Sequence, residues 1–233
     1  MQQPESFLTR WLNAVRPLPS ARVYTKAEVA QRRKQRKLIG STFGVIALAG
    51  SGWLVYDYIA DAPQRAQTVL AQGILQMGPG QEAGAIRTIS RAIEIWPDYA
   101  EAYMYRGIAE HTLGQVEGAM VDLEKASELK PSLTRPYAEL GRIYQERGDM
   151  SRAIGEFTRS LGIAPTAESY YQRALAYEKL GDHQKALLDF DSAIAEMRDA
   201  PYAYRARALA KEALGDTEGA RADRETADGI ENK

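Results

Sequence analysis

Tyr137-Ala-Glu-Leu140-Gly141-Arg-Ile-Tyr144-Gln-Glu-Arg-Gly148-Asp-Met-Ser-Arg-Ala153-Ile-Gly-Glu-Phe157 places aromatic and small residues at helical spacing on both sides of one glycine. Tyr137, Leu140, Gly141 and Tyr144 recur at three and four residues, so they share a face of a first helix. Ala153 and Phe157 do the same in a second. Gly148 falls between the two, where a helix must stop and the chain must turn. Gly141 and Ala153 leave room for the helices to approach closely, and Tyr137, Tyr144 and Phe157 fill the space around them. Pro165 ends the second helix.

The same unit returns along the chain. Small residues recur at Gly73, Gly107, Gly141, Ala174 and Ala208, at separations of 34, 34, 33 and 34. Ala85, Ala119, Ala153, Ala186 and Ala220 recur in step, and Pro97, Pro131 and Pro165 close the first three units. Gly114, Gly148, Gly181 and Gly215 mark the turns inside units two to five. A fixed period of this length signals a stack of helical hairpins, each burying the face of its neighbour.

These residues resemble the tetratricopeptide repeat. Unit three carries the whole pattern, Tyr137-x-x-Leu140-Gly141-x-x-Tyr144, then Ala153-x-x-x-Phe157, then Pro165. Unit four keeps Tyr170, Ala174, Tyr177, Ala186, Phe190 and Ala193, with Arg198 where the closing proline would stand. Unit two keeps Tyr103, Gly107, Ala119, Leu123, Ala126 and Pro131, with Glu110 replacing the second aromatic. The resemblance implies an all-α fold, an α-solenoid of about five helix-turn-helix repeats near 66–99, 100–133, 134–166, 167–200 and 201–233. In the fifth, Arg224 stands where an aromatic is expected, so its last helix reads as the polar cap that solenoids require.

The resemblance also implies a protein-binding groove lined by the first helix of each unit. By register its residues are Ile74 and Met77, then Met104, Ile108 and His111, then Arg135, Arg142 and Gln145, then Tyr171, Leu175 and Glu178. This describes an apolar end followed by a basic centre suited to a carboxylate or an acidic segment. Cytosolic co-chaperones of the family grip a carboxylate tail with Lys and Asn residues. The matching positions here are Leu70, Ile74, Tyr105, Arg135 and Glu139, of which only Arg135 fits.

The first 65 residues have another character. Residues 1–37 carry nine Lys/Arg against Glu5 and Glu28, a balance of +7, whereas 38–233 carry 21 against 29, a balance of −8. Arg32, Arg33, Lys34, Arg36 and Lys37 abut an uncharged run from Leu38 to Tyr56. That run would span roughly 28 Å as a helix, close to the hydrocarbon thickness of a bilayer. It reads as a transmembrane helix over 38–58, joined to the repeats by a linker over 59–65. Gly40 and Gly44 are spaced for close packing against another helix. Ala60-Asp61-Ala62 resembles a signal-peptidase site, but the long head, the long apolar run and Pro63 argue for an uncleaved anchor. The basic cluster keeps the head cytoplasmic and binds anionic lipid, which sends the repeats to the periplasm or lumen. Lipid headgroups, not nucleic acid, are therefore the expected partner of the head. Within it, Phe7, Leu8, Trp11, Leu12 and Val15 recur at helical spacing and are suited to lie on the membrane.

Catalytic patterns are missing. Without cysteine there is no disulfide, thiolate metal site or Cys nucleophile. His111 and His183, the two histidines, stand in different units, and neither a His-Glu-x-x-His nor a Walker sequence occurs. Gly78-Pro-Gly80-Gln-Glu-Ala-Gly84 is a turn of unit one, and Asp189-Phe190-Asp191 reads as solvated charge beside a core Phe. The expected protein is a non-enzymatic scaffold without cofactor or metal. It would be membrane-anchored by a single span, N-terminus cytoplasmic, most naturally in a bacterial inner membrane, and would hold protein partners during assembly, secretion or envelope biogenesis. The same layout also fits an organelle-membrane receptor with its repeats in the cytosol, acting in protein import.

Overall fold

The computed structural model describes residues 61–232. The chain divides into two compact units, 1–63 and 64–233. The second unit holds the repeats. The expected transmembrane span over 38–58, with Gly40 and Gly44, falls outside the described residues, as do Arg32, Arg33, Lys34, Arg36 and Lys37. Among the described residues no helix is long and apolar enough to cross a membrane.

Those residues form ten helices and no strand, paired in chain order. The pairs are α1 (Ala62–Leu75) with α2 (Glu82–Ile95), α3 (Ala100–Thr112) with α4 (Val116–Leu129), and α5 (Thr134–Glu146) with α6 (Met150–Ile163). They continue as α7 (Ala167–Lys179) with α8 (His183–Glu196), and α9 (Pro201–Ala213) with α10 (Thr217–Glu231). α1 begins at Ala62, inside the expected linker over 59–65.

Local chemistry explains each hairpin. Gly114, Gly148, Gly181 and Gly215 take φ between 77° and 87°, a left-handed conformation that costs residues with a Cβ about 1–2 kcal/mol. Gly80 does the same at φ 80° in the turn before α2, which is shorter than the expected Gly78–Gly84 turn because the helix already begins at Glu82. Asp149, Asp182 and Asp216 then cap α6, α8 and α10 by accepting from Arg152, Lys185 and Gly219 backbone N–H groups. Gln81 and Gln115, at the same positions before α2 and α4, make no side-chain cap.

Within each hairpin a small residue meets a large one. A Cβ built on Gly141 would lie 2.7 Å from Phe157 Cε1, and one on Gly73 would lie 2.5 Å from Ile89 Cγ1. Phe157, Phe190, Leu123 and Ile89 are fully buried, each clustered with alanines of its own helix.

Buried ion pairs reinforce the stack. Arg106 on α3 donates from Nε and Nη2 to Asp122 Oδ2 and Oδ1 on α4, at 2.5 and 2.8 Å, and from Nη1 to Ser90 Oγ on α2 at 3.1 Å. Arg173 repeats this with Asp189, at 2.7 and 2.8 Å, and with Thr158 at 3.0 Å. Arg207 repeats it with Asp223, at 2.8 and 2.6 Å, and with Asp191 at 2.7 Å. Each guanidinium thus bolts the second helix of its own repeat to that of the preceding repeat. Tyr103, Tyr170 and Tyr204 rings lie 5.5 to 5.9 Å from the respective guanidinium carbons. Asp189 is therefore a buried clamp residue, not the solvated charge expected of Asp189-Phe-Asp191; only Asp191 is exposed. Burial pulls the Asp223 carboxyl upward, but hydrogen bonds from Arg207 and Lys211 outweigh it and hold it below the ordinary carboxylate value.

Candidate protein-docking face

The first helices of successive repeats, α3, α5, α7 and α9, touch along one side of the stack. His111 on α3 meets Glu146 Oε2 on α5 through Nε2 at 2.7 Å. Arg135 on α5 lies 5.7 Å from the Tyr105 ring centre on α3. Gln145 Nε2 on α5 donates to the Gln172 carbonyl on α7 at 2.8 Å. Tyr171 on α7 meets Tyr202 on α9 edge to face, ring centres 5.0 Å apart. These cross-links place Tyr105, His111, Arg135, Gln145, Tyr171 and Tyr202 on one inner face.

The middle of this face is less basic than its arginines suggest. Glu139 lies between them, its Oε1 3.5 Å from Arg135 Nε and its Oε2 3.2 Å from Arg142 Nη1. The Glu139 side chain is 11% exposed, against 53% and 47% for the two arginines. The group carries one net positive charge, presented outward by two guanidiniums that each keep free N–H donors.

Other groove candidates are distributed unevenly. Met104 is buried, packed against Leu123 and Leu140 in the central apolar cluster, so it supports the face from beneath. Ile108 is half-buried above that cluster. Ile74 and Met77 pack half-buried against the first repeat's cluster, and Met77 lies past the end of α1. Leu175 and Tyr171 pack half-buried around Phe190. Glu178 Oε1 lies 2.9 Å from His183 Nδ1 and accepts from it when that nitrogen carries the proton, which ties the end of α7 to the start of α8.

Sequence reasoning stopped one repeat short. Leu209 follows Leu175 by one period and is 60% exposed; Tyr202, edge-on to Tyr171, is 46% exposed. Both extend the apolar part of the face onto α9. The period itself was the signal for Leu209. The spacing of Arg135, Glu139 and Arg142, four and three residues apart on one helix, was the signal for the two ion pairs of Glu139, but not for its burial.

Comparison with known proteins bears on this architecture. Two tetratricopeptide-repeat family models match, one over residues 70–133 and the other over 167–200. These segments are tetratricopeptide repeats. The match falls on α3 and α7, two of the helices that build the inner face. Comparison with curated proteins found no match. Among solved structures, one of MamA is 24% identical, covers 69% of this chain and 94% of its own, and superposes with a TM-score of 0.64. A second MamA structure gives 22% identity, 74% and 93% coverage and a TM-score of 0.64. The 41-end form of MamA from Desulfovibrio magneticus RS-1 gives 16% identity, 75% and 97% coverage and a TM-score of 0.65. At these identities the likeness shows the fold alone. The repeat unit of this chain is thus an α-solenoid of helical hairpins, in which residues 70–133 and 167–200 match the tetratricopeptide repeat.

Proposed function

We propose that this chain is a membrane-anchored scaffold whose inner face docks protein segments on the periplasmic or lumenal side of a membrane. One observation carries the docking reading. Arg135 and Arg142 project from a buried Glu139, flanked by Ile108 on one side and by Tyr171, Leu175, Tyr202 and Leu209 on the other. Such a strip offers apolar anchoring to a segment and directional hydrogen bonding to its carboxylates or carbonyls. The protein acts by holding partners during assembly, secretion or envelope biogenesis, without chemistry of its own.

The anchor reading rests on the sequence. Five cationic residues abut nineteen uncharged ones, and Asp57 and Asp61 follow on the far flank. This asymmetry favours a cytoplasmic head and an exported body.

Two experiments separate the parts of this reading. In the first, a reporter active only outside the cytoplasm is fused after Lys233; activity supports export. A reporter active only in the cytoplasm overturns it and favours the import-receptor arrangement. In the second, the tagged full-length chain is isolated from its own membranes beside Arg142→Glu and Leu209→Glu variants. Partners retained by the natural chain and lost from both variants support docking on the inner face. Partners retained equally by all three overturn it.

A further inference from the structure

The row of clamps is interrupted once. One period after Arg106 stands Leu140, and one period after Asp122 stands Glu156. Leu140 is buried in the apolar cluster that runs from α3 to α7. Glu156 directs Oε1 to Arg159 at 3.0 Å, while its Oε2 is buried without a hydrogen-bond partner among the described residues. No counterpart of Arg106, Arg173 or Arg207 therefore bolts α4 to α6. The junction of α4 with α5 is also the least extensive of the four between consecutive repeats.

Weaker links replace the bolt. Arg147 Nη2 meets Glu117 Oε1 at 2.5 Å and His111 meets Glu146 at 2.7 Å, with Glu117 87% and Glu146 56% exposed. Exposed pairs contribute little and are screened by salt. The apolar contact around Leu140 attracts without fixing direction. A forked Arg–carboxylate pair, by contrast, holds two helices at a set angle. In a solenoid each repeat touches only its neighbours, so one slack junction bends while the rest keep their geometry.

We infer that the junction between the second and third repeats is an articulation of the solenoid, and that its bending sets the separation of Ile108 and Arg142 on the inner face. The motion stands independently of the docking reading; only its consequence for partners rests on that reading. Residues 100–129 and 134–163 move as two blocks, and the repeats beyond follow the second block through the Arg173 and Arg207 clamps.

The chain has no cysteine, so spin labels attach only where one is introduced. Val121, Gly155 and Leu188 occupy one register on α4, α6 and α8, all exposed, and a Cβ at Gly155 meets nothing within 4 Å. In the full-length chain, labels at Val121→Cys and Gly155→Cys report the unclamped junction. Labels at Gly155→Cys and Leu188→Cys report the clamped one. The expected result is a broader distance distribution for the first pair, narrowing to the width of the second when Leu140→Arg and Glu156→Asp rebuild the clamp. Equal widths in the natural background overturn the inference without any need for the rebuilt variant. So does a rebuilt variant with a native circular-dichroism spectrum that leaves the first distribution unchanged.

Discussion

Arg173 holds Asp189 edge-on, Nε to Oδ2 at 2.7 Å and Nη2 to Oδ1 at 2.8 Å, with the two side chains 17% and 8% exposed. Removing one partner leaves a buried charge without compensation. Arg173→Leu should destabilise the fold by about 3 kcal/mol in chemical denaturation, whereas Arg173→Met combined with Asp189→Leu should recover much of that loss. A single variant within about 0.5 kcal/mol of the natural chain would show the pair to be structurally idle.

Gly141 lies where a Cβ would stand 2.7 to 2.9 Å from three atoms of the Phe157 ring. Gly141→Ala should therefore cost about 1–3 kcal/mol by overpacking, despite alanine's better helix propensity. Gly155→Ala, on an open part of α6, should instead be neutral or stabilising. Denaturation midpoints should fall for Gly141→Ala and stay level or rise for Gly155→Ala if the contact is as described.

The caps offer a gain. Asp149, Asp182 and Asp216 cap α6, α8 and α10, but Gln115 leaves α4 uncapped. Gln115→Asp should stabilise the chain by about 1 kcal/mol, and Asp182→Ala should cost about as much. Thermal melts of the two variants check both directions.

Glu156 gives the fold a pH signature. Burial raises its carboxyl above the ordinary value of 4.5, Arg159 opposes this, and Glu124 adds to it. With a raised folded pKa, the folded state binds more protons than the unfolded one between the two values. The contribution is therefore complete below the unfolded pKa and is lost as pH rises through the folded one. At neutral pH the ionised, half-satisfied carboxylate weakens the fold. Glu156→Gln should raise the melting temperature at pH 7, and the gain should shrink as pH falls toward 4.5. An unchanged or lowered melting temperature at pH 7 would contradict this account.

Particular residues show where sequence reading succeeds and where it stops. Gly141, Ala153, Phe157 and the turn glycines recur at a fixed period because each solves the same steric problem in each repeat. That repetition made the repeat fold readable. The Arg–Asp clamps escaped notice because their spacing of sixteen residues crosses a turn and belongs to neither helix's own period. A charge beside a core Phe then looked like ordinary solvated surface, as at Asp189. Register positions give the expected groove residues but do not show which side chains the stack buries, as with Met104 and Glu139. The pairing of Glu139 with Arg135 and Arg142 joins residues four and three apart on one helix, so the spacing contains it. How deeply Glu139 is buried depends on how closely α3 and α5 approach, and one helix's pattern does not contain that distance.

The central claim is that partners dock on the face built by α3, α5, α7 and α9. Its most direct test is photocrosslinking from single sites in the full-length chain in its own membranes. Probes at Ile108 and Arg142 report the inner face, and probes at Val121 and Leu188 report the exposed side of the second helices. The account predicts discrete protein adducts from Ile108 and Arg142, abolished by Leu209→Glu, and none from Val121 or Leu188. Adducts arising only from Val121 and Leu188 would contradict it.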